Sequence, residues 1–118
     1  AQLPAEERRK LKTIHASCQS DPTTRVEKEK LKNMEQYVDD PQVGAHMRCM
    51  GMKLGCINEQ GLIDRNVVRS KIALVTPDKS KVDAILEKCA IQRDSPEKTA
   101  VLLVLCFYQN GVHYHHGV

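Results

Sequence analysis

The sequence predicts an all-α protein, and three observations support this fold class. Apolar residues recur at steps of three and four along most of the chain, which is the spacing of one helical face. Proline stands at positions 4, 41, 77 and 96, where helices are expected to begin, because proline is tolerated in the first turn. The segments between the stripes are short and rich in Asp, Ser, Asn and Gly. We therefore predict a single domain, residues 1–118, of six helices, with residues 113–118 as a C-terminal tail.

The first five helices are each predicted from one apolar stripe. The stripes are Leu11, Ile14 and Cys18; Val26, Leu31 and Met34, which are spaced less regularly; Val43, Met47, Met50 and Leu54; Val68, Ile72 and Val75; and Val82, Ile85, Leu86 and Cys89. Asp40, Thr76 and Ser95 each precede a proline and are good N-cap residues. We expect the third, fifth and sixth helices to begin at these three steps.

The sixth element, residues 100–108 (AVLLVLCFY), is apolar throughout. A buried strand would give the same pattern, but the Ser95-Pro96-Glu97 helix start leads directly into it. A helix that is apolar on all sides is one surrounded by other helices. Gly111 is expected to end this helix.

Composition excludes several classes of function. The net charge of +3 is small, and 3% aromatic content gives no stacking platform for nucleic acid, so we expect no nucleic-acid partner. The longest apolar run is far shorter than the roughly 20 residues that span a bilayer. No signal peptide is visible, so from composition the chain is either cytosolic or the mature form of a secreted protein.

The stretch CMGMKLGC raises the possibility of redox or metal chemistry at Cys49 and Cys56. On a helix these two Cα atoms would be about 10.5 Å apart, too far for a disulfide. The chain has neither a C-x-x-C motif nor zinc-knuckle spacing, and we expect no metal and no cofactor. With five cysteines, at least one is unpaired in a monomer if the others are bridged. A thiol enzyme using Cys56 or Cys49 is an alternative function that we do not favour.

The cysteine spacing resembles that of the insect odorant- and pheromone-binding protein family. Cys18, Cys49, Cys89 and Cys106 are separated by 30, 39 and 16 residues, and VDDPQVGAHMRC and KLGCINEQGLID look like the third helix of that family and the loop after it. Family members carry six cysteines on six helices. Ala45 and Glu97 occupy the positions of the second and fifth, so the chain resembles the four-cysteine (Minus-C) branch.

The resemblance implies a compact six-helix domain around an internal apolar cavity, with disulfides Cys18–Cys49 and Cys89–Cys106 and with Cys56 free. It implies a non-enzymatic carrier of small hydrophobic molecules, such as odorants or pheromones, secreted into sensillar lymph or haemolymph. A receptor or a second copy of the chain are further expected partners. The alternative function is a saposin-like lipid-surface or helical interaction protein.

The expected ligand-binding residues are mostly aliphatic: Leu11, Ile14, Met47, Met50, Leu54, Ile72, Val82, Ile85, Leu86, Val101, Leu105, Tyr108 and Tyr114. For each of them, packing in the core away from the cavity is the alternative. Tyr108 and Tyr114 are the candidates for one polar contact with an alcohol, ester or aldehyde. The tail is a candidate to close over the pocket and to open when its histidines become charged.

Overall fold

A computed structural model describes residues 2–116 and shows six α-helices. They are α1 (Ala5–Ser20), α2 (Lys28–Lys32), α3 (Pro41–Lys53), α4 (Arg65–Leu74), α5 (Val82–Cys89) and α6 (Pro96–Gln109), with short 3₁₀ helices at Met34–Gln36 and Lys79–Lys81. The predicted six-helix fold class is confirmed. The second helix is shorter than its stripe because that segment divides into α2 and a 3₁₀ turn.

The predicted N-caps of α3 and α6 are confirmed. The Asp40 carboxylate accepts a hydrogen bond from the backbone N–H of Val43 at 3.0 Å. The Ser95 hydroxyl accepts one from the backbone N–H of Lys98 at 3.0 Å. Each cap satisfies a backbone donor that has no partner inside the helix, so each fixes where its helix begins.

The predicted start of the fifth helix at Pro77 is wrong. The Thr76 hydroxyl donates back to the carbonyl oxygen of Ile72 at 2.7 Å, so Thr76 completes the end of α4. Asp78 accepts a hydrogen bond from the backbone N–H of Ser80 and caps the short 3₁₀ helix. The α5 helix follows directly from that 3₁₀ helix.

The helices pack around α3 and α6, which lie against each other in the centre. The α1 helix contacts α3, whereas α5 contacts both α4 and α6. A continuous apolar core runs through these contacts. None of the described helices is both long enough and apolar enough to cross a membrane.

Two disulfides join these packed helices. Cys18–Cys49 links α1 to α3 with Cα atoms 6.0 Å apart, and Cys89–Cys106 links α5 to α6 with Cα atoms 5.4 Å apart. Both predicted pairings are confirmed, and Cys56 is free and buried. Since α3 ends at Lys53, Cys56 lies in the following loop and not on the helix face of Cys49.

Two glycines direct the chain toward the centre of the molecule. Gly61, with a φ of 83°, lies so close to the first turn of α6 that a Cβ there would be 2.7 Å from Pro96. Gly111, with a φ of 71°, follows the end of α6, and the backbone N–H of Val112 donates to the carbonyl oxygen of Phe107 at 2.9 Å. The predicted tail therefore turns back onto the helices; its last two residues, 117 and 118, lie outside the described residues.

A third bridge between α3 and α6 would test the alignment behind the family resemblance. The two helices are close here, since a Cβ on Gly44 would stand 3.0 Å from that of Glu97. A bridge closing a loop of about 53 residues contributes roughly 4 kcal/mol in the loop-entropy model. We therefore expect Ala45→Cys/Glu97→Cys to raise the melting temperature of the oxidised protein by about 15 °C.

The two single cysteine variants are the controls, because Glu97→Cys alone removes the ion pair between Glu97 and Arg48. Mass spectrometry reports whether the new bridge has formed. A double variant that forms no bridge, or that melts at the temperature of the wild type, contradicts the alignment.

Candidate functional site

A partly enclosed cavity of about 120 Å³ lies in the middle of the helices. Its wall is built by α1, α3, α6, the segment around α2, and the chain that returns after α6. Most of the wall is apolar, with Met34, Met47 and Met50 among its side chains. Lys32 lines it, whereas no Asp or Glu appears among its described residues. The cavity thus suits a largely apolar molecule that carries no positive charge.

The size of the cavity limits what it accommodates without rearrangement. An apolar cavity of about 150 Å³ holds benzene, so this one matches a small ring or a short chain. A larger ligand requires the wall to move. Methionine side chains are unbranched and adaptable, and three of them line this cavity, so the wall is suited to such movement.

Six of the predicted ligand-binding residues line this cavity, namely Leu11, Met47, Met50, Leu54, Tyr108 and Tyr114. The structure places the other predicted residues elsewhere in the packed core, namely Ile14, Ile72, Val82, Ile85, Leu86, Val101 and Leu105. Three of the latter lie on α5 and one on α4, which are not part of the cavity wall. Val101 and Leu105 lie on α6 next to residues of the wall but are not among the residues that line the cavity.

Several lining residues were not predicted from the sequence. They are His15, Leu31, Lys32, Met34, His46, Gly51, Cys56, Ile57, Ala100, Leu103, Val104, Phe107, His115 and His116. On α6, the spacing of Ala100, Leu103, Val104 and Phe107 is itself a helical stripe. That signal was hidden because every neighbouring position in this helix is also apolar.

A partly buried polar cluster attaches the C-terminal segment to α1 and α4 beside the cavity. Glu7 Oε2 accepts hydrogen bonds from Lys71 Nζ at 2.6 Å and from the Tyr114 hydroxyl. Burial alone would raise the pKa of Glu7, but the hydrogen bonds from Lys71 and Tyr114 outweigh it and the pKa is lowered. Burial and the hydrogen bond to Glu7 raise the pKa of Tyr114, so the hydroxyl stays protonated and is the donor in this bond. Tyr114 is thereby fixed over the cavity.

Three histidines meet further along α1, about 12 Å from Glu7. The ring of His15 lies 5.2 Å from that of His46 and 4.5 Å from that of His116, between centroids. Burial lowers the pKa of all three, to about 4 for His46, so the rings are neutral at pH 7. Within residues 2–116, no three His, Cys, Asp or Glu side chains are arranged to hold a metal ion.

The free thiol of Cys56 also lines the cavity and is 5% exposed. Burial raises the pKa of this thiol to about 11. At pH 7 the sulfur is therefore a neutral thiol, which is a weak nucleophile. The side chain acts here as a small apolar part of the wall.

Comparison with known proteins gives a consistent result. The PBP/GOBP family matches residues 1–110. The B2 protein of Tenebrio molitor is 27% identical over 104 residues, which cover 88% of this chain and 81% of that protein. Odorant-binding protein 10 of Aedes aegypti is 31% identical over 83 residues, which cover 69% of this chain and 58% of that protein.

A solved structure is similar over almost the whole chain. It is the fatty acid binding protein OBP56a from the oral disk of the blowfly Phormia regina, with a TM-score of 0.69. The match covers 94% of this chain and 96% of that one at 24% identity. At this level of identity the likeness shows the fold.

Acidification is expected to destabilise the protein through His46. Its pKa is about 4 in the folded state and about 6.5 in the unfolded chain, so the unfolded state binds more protons between these values. Stability is therefore full above about pH 6.5 and falls as the pH falls toward 4. Between about pH 7.5 and pH 5, we expect His46 to account for a loss of about 2 kcal/mol in urea denaturation.

The matched variants separate His46 from the other histidines. His46→Phe is expected to flatten the dependence on pH, whereas His113→Phe, at an exposed position outside the cavity, is expected to retain it. An equal slope in the wild type and in His46→Phe would contradict this account of His46.

Loss of the Tyr114 hydroxyl is expected to loosen the C-terminal segment. Tyr114→Phe removes a hydrogen bond to a carboxylate, and we expect it to lower the free energy of unfolding by about 1.5 kcal/mol at pH 7. The control is Tyr37→Phe, at a tyrosine that does not line the cavity and whose ring, 5.8 Å from Lys30 Nζ, is retained by phenylalanine. Equal stabilities of the two variants would show that the bond to Glu7 does not hold the segment.

Proposed function

The chain belongs to the PBP/GOBP family, and on that basis we propose that it carries a small hydrophobic ligand in its central cavity. The observation that carries this proposal is the apolar cavity itself, which lies inside the helices and is lined by six of the residues predicted to bind ligand. An unfilled cavity of 120 Å³ lowers the free energy of unfolding by about 3 kcal/mol. A protein that binds no ligand is therefore expected to pack its core without such a cavity.

The family predicted from the cysteine spacing is confirmed by the match over residues 1–110. The assignment to the four-cysteine branch is not confirmed. The structure has two disulfides and a fifth cysteine, Cys56, which that branch does not explain.

The names of two similar proteins suggest two ligand classes to test, odorants and fatty acids. One relative is an odorant-binding protein, and the structural neighbour is a fatty acid binding protein. Odorants, pheromones and fatty acids all have an apolar body that fits a wall of Leu, Val and Met side chains. The cavity is smaller than a long fatty acid chain, so the longer ligands require the methionine wall to move.

We propose binding without a chemical step. The thiol enzyme alternative needs an activated sulfur, but Cys49 is in a disulfide and the pKa of Cys56 is raised to about 11. The disulfides support a secreted protein, because such bridges persist in oxidising compartments. Sensillar lymph or haemolymph are the proposed locations, and a receptor or a second copy of the chain are the partners expected for delivery of the ligand.

The segment after α6 is proposed to close the cavity. Tyr114 contacts Glu7 at one point of α1, and His116 contacts His15 further along the same helix. Both contacts involve titratable groups, and charging His15 and His116 together would produce repulsion between adjacent rings. We therefore propose that ligand release is faster at pH 5 than at pH 7.5.

Filling the cavity tests the proposed function. Ala100 lines the wall and is 3% exposed, so Ala100→Leu places a larger side chain in the ligand space. We expect at least a tenfold loss of affinity for an apolar fluorescent probe that the wild type binds with one-to-one stoichiometry. Ala84→Leu, at an exposed position on α5 outside the cavity, is the control and is expected to bind like the wild type.

Two results would contradict the carrier proposal. One is a wild-type protein that binds no apolar probe at any site. The other is equal probe affinity in Ala100→Leu and Ala84→Leu. Vesicle sedimentation in parallel tests the saposin-like alternative, which predicts that the protein binds lipid vesicles.

A further inference from the structure

One ring nitrogen of a cavity residue has a fixed chemical role and, among residues 2–116, no hydrogen-bond partner. His46 lines the cavity and is 1% exposed. Its Nδ1 lies 2.9 Å from the carbonyl oxygen of Thr24. A carbonyl oxygen only accepts, so Nδ1 carries the ring proton and Nε2 of the neutral ring is an acceptor. In the part of the chain that the structure describes, no group donates to Nε2, since His15 lies edge-on without a hydrogen bond to it.

The surroundings of His46 hold this tautomer in place. The Thr24 hydroxyl donates to the carbonyl oxygen of Cys18 at 2.7 Å, so the Thr24 backbone is fixed relative to α1. Cys18 is bridged to Cys49, which lies one turn beyond His46 on α3. The disulfide therefore holds both partners of the Nδ1 hydrogen bond. Rotation of the ring would break that bond and leave a carbonyl without its donor.

The charge state of the ring agrees with its geometry. Burial lowers the pKa of His46 to about 4, so Nε2 keeps its lone pair at neutral pH. The titratable groups that face it are His15 from α1 and His116 from the C-terminal segment, and burial lowers the pKa of both. No carboxylate lines the described wall of the cavity.

We propose that Nε2 of His46 accepts a hydrogen bond from a hydroxyl group of the ligand, so that the cavity prefers an alcohol on a short apolar chain. The inference rests on the proposed carrier function and names the ligand class of the same cavity. Ethers, esters and aldehydes offer only acceptors to Nε2, which is itself an acceptor, and leave it unpaired. An ammonium group would find no carboxylate in the described wall.

The two tyrosines predicted for the polar contact are less suited to it. The Tyr114 hydroxyl already donates its hydrogen bond to Glu7. Tyr108 is 47% exposed, at the rim of the cavity. His46, by contrast, is a buried residue of the cavity wall, and the lone pair of its Nε2 is available to accept a hydrogen bond.

The test compares two isomers, hexanol and methyl pentyl ether, which have the same atoms but differ in the hydroxyl proton. Displacement of an apolar fluorescent probe gives both affinities. We expect the ratio of alcohol to ether affinity to fall about five- to tenfold in His46→Phe. His113→Phe is the control and is expected to keep the wild-type ratio. A general loss of packing in His46→Phe would weaken both ligands together and leave the ratio unchanged, which would overturn the inference.

A second measurement uses the wild-type protein and does not depend on the variant folding. In protein labelled with ¹⁵N-histidine, hexanol is expected to shift the Nε2 resonance of His46 and leave Nδ1 in place, whereas the ether is expected to shift neither nitrogen. Equal responses of Nε2 to the two isomers would overturn the inference and leave the carrier function standing. Failure of both isomers and of the probe to bind would overturn both.

Discussion

The bridge between Cys18 and Cys49 is the constraint on which the binding region depends. It joins α1 to α3, and both helices supply residues of the cavity wall, including Leu11 and Met47. The loops closed by the two disulfides, of about 32 and 18 residues, contribute roughly 3.7 and 3.2 kcal/mol in the loop-entropy model. An empty cavity of this size costs about 3 kcal/mol. The crosslinks therefore more than offset the destabilising effect of an unfilled core.

The contact between α3 and α6 is non-covalent. Near positions 45 and 97, where the family resemblance implies a third bridge, this chain has an ion pair between Arg48 and Glu97 at 3.2 Å, with both side chains more than a third exposed. An exposed pair of this kind contributes at most about 1 kcal/mol. The C-terminal segment is also held non-covalently, by the hydrogen bond from Tyr114 to Glu7. The cavity wall is thus crosslinked by a disulfide between α1 and α3 and is held by polar contacts elsewhere. Such a wall is suited to small adjustments around different ligands.

The sequence was informative where local chemistry decides the structure. The caps at Asp40 and Ser95 were predicted because an N-cap residue before a proline has one common use. Thr76 fits the same rule but bonds back to Ile72, a choice that depends on how α4 ends and not on the Thr-Pro pair itself. The cysteine pairings came from the family resemblance, since spacing within one chain does not determine connectivity.

The cavity was harder to predict than the helices that enclose it. Stripes on α4 and α5, such as Ile72 and Leu86, are as apolar as those on α3, but they face the core between helices. His46 makes one buried hydrogen bond, to the carbonyl oxygen of Thr24. His46 also lines the cavity because α1 packs against α3. The sequence of either helix alone does not predict that packing.

The four methionines allow the central claim to be tested in one measurement. Met34, Met47 and Met50 line the cavity, whereas Met52 lies on an outer groove of α3. In protein with ¹³C-labelled methionine methyl groups, titration with an apolar ligand is expected to shift the three cavity signals, with saturation at one equivalent. The Met52 signal is expected to stay in place and serves as the internal control. A shift of Met52 without shifts of the other three would place the ligand outside the cavity and contradict the account.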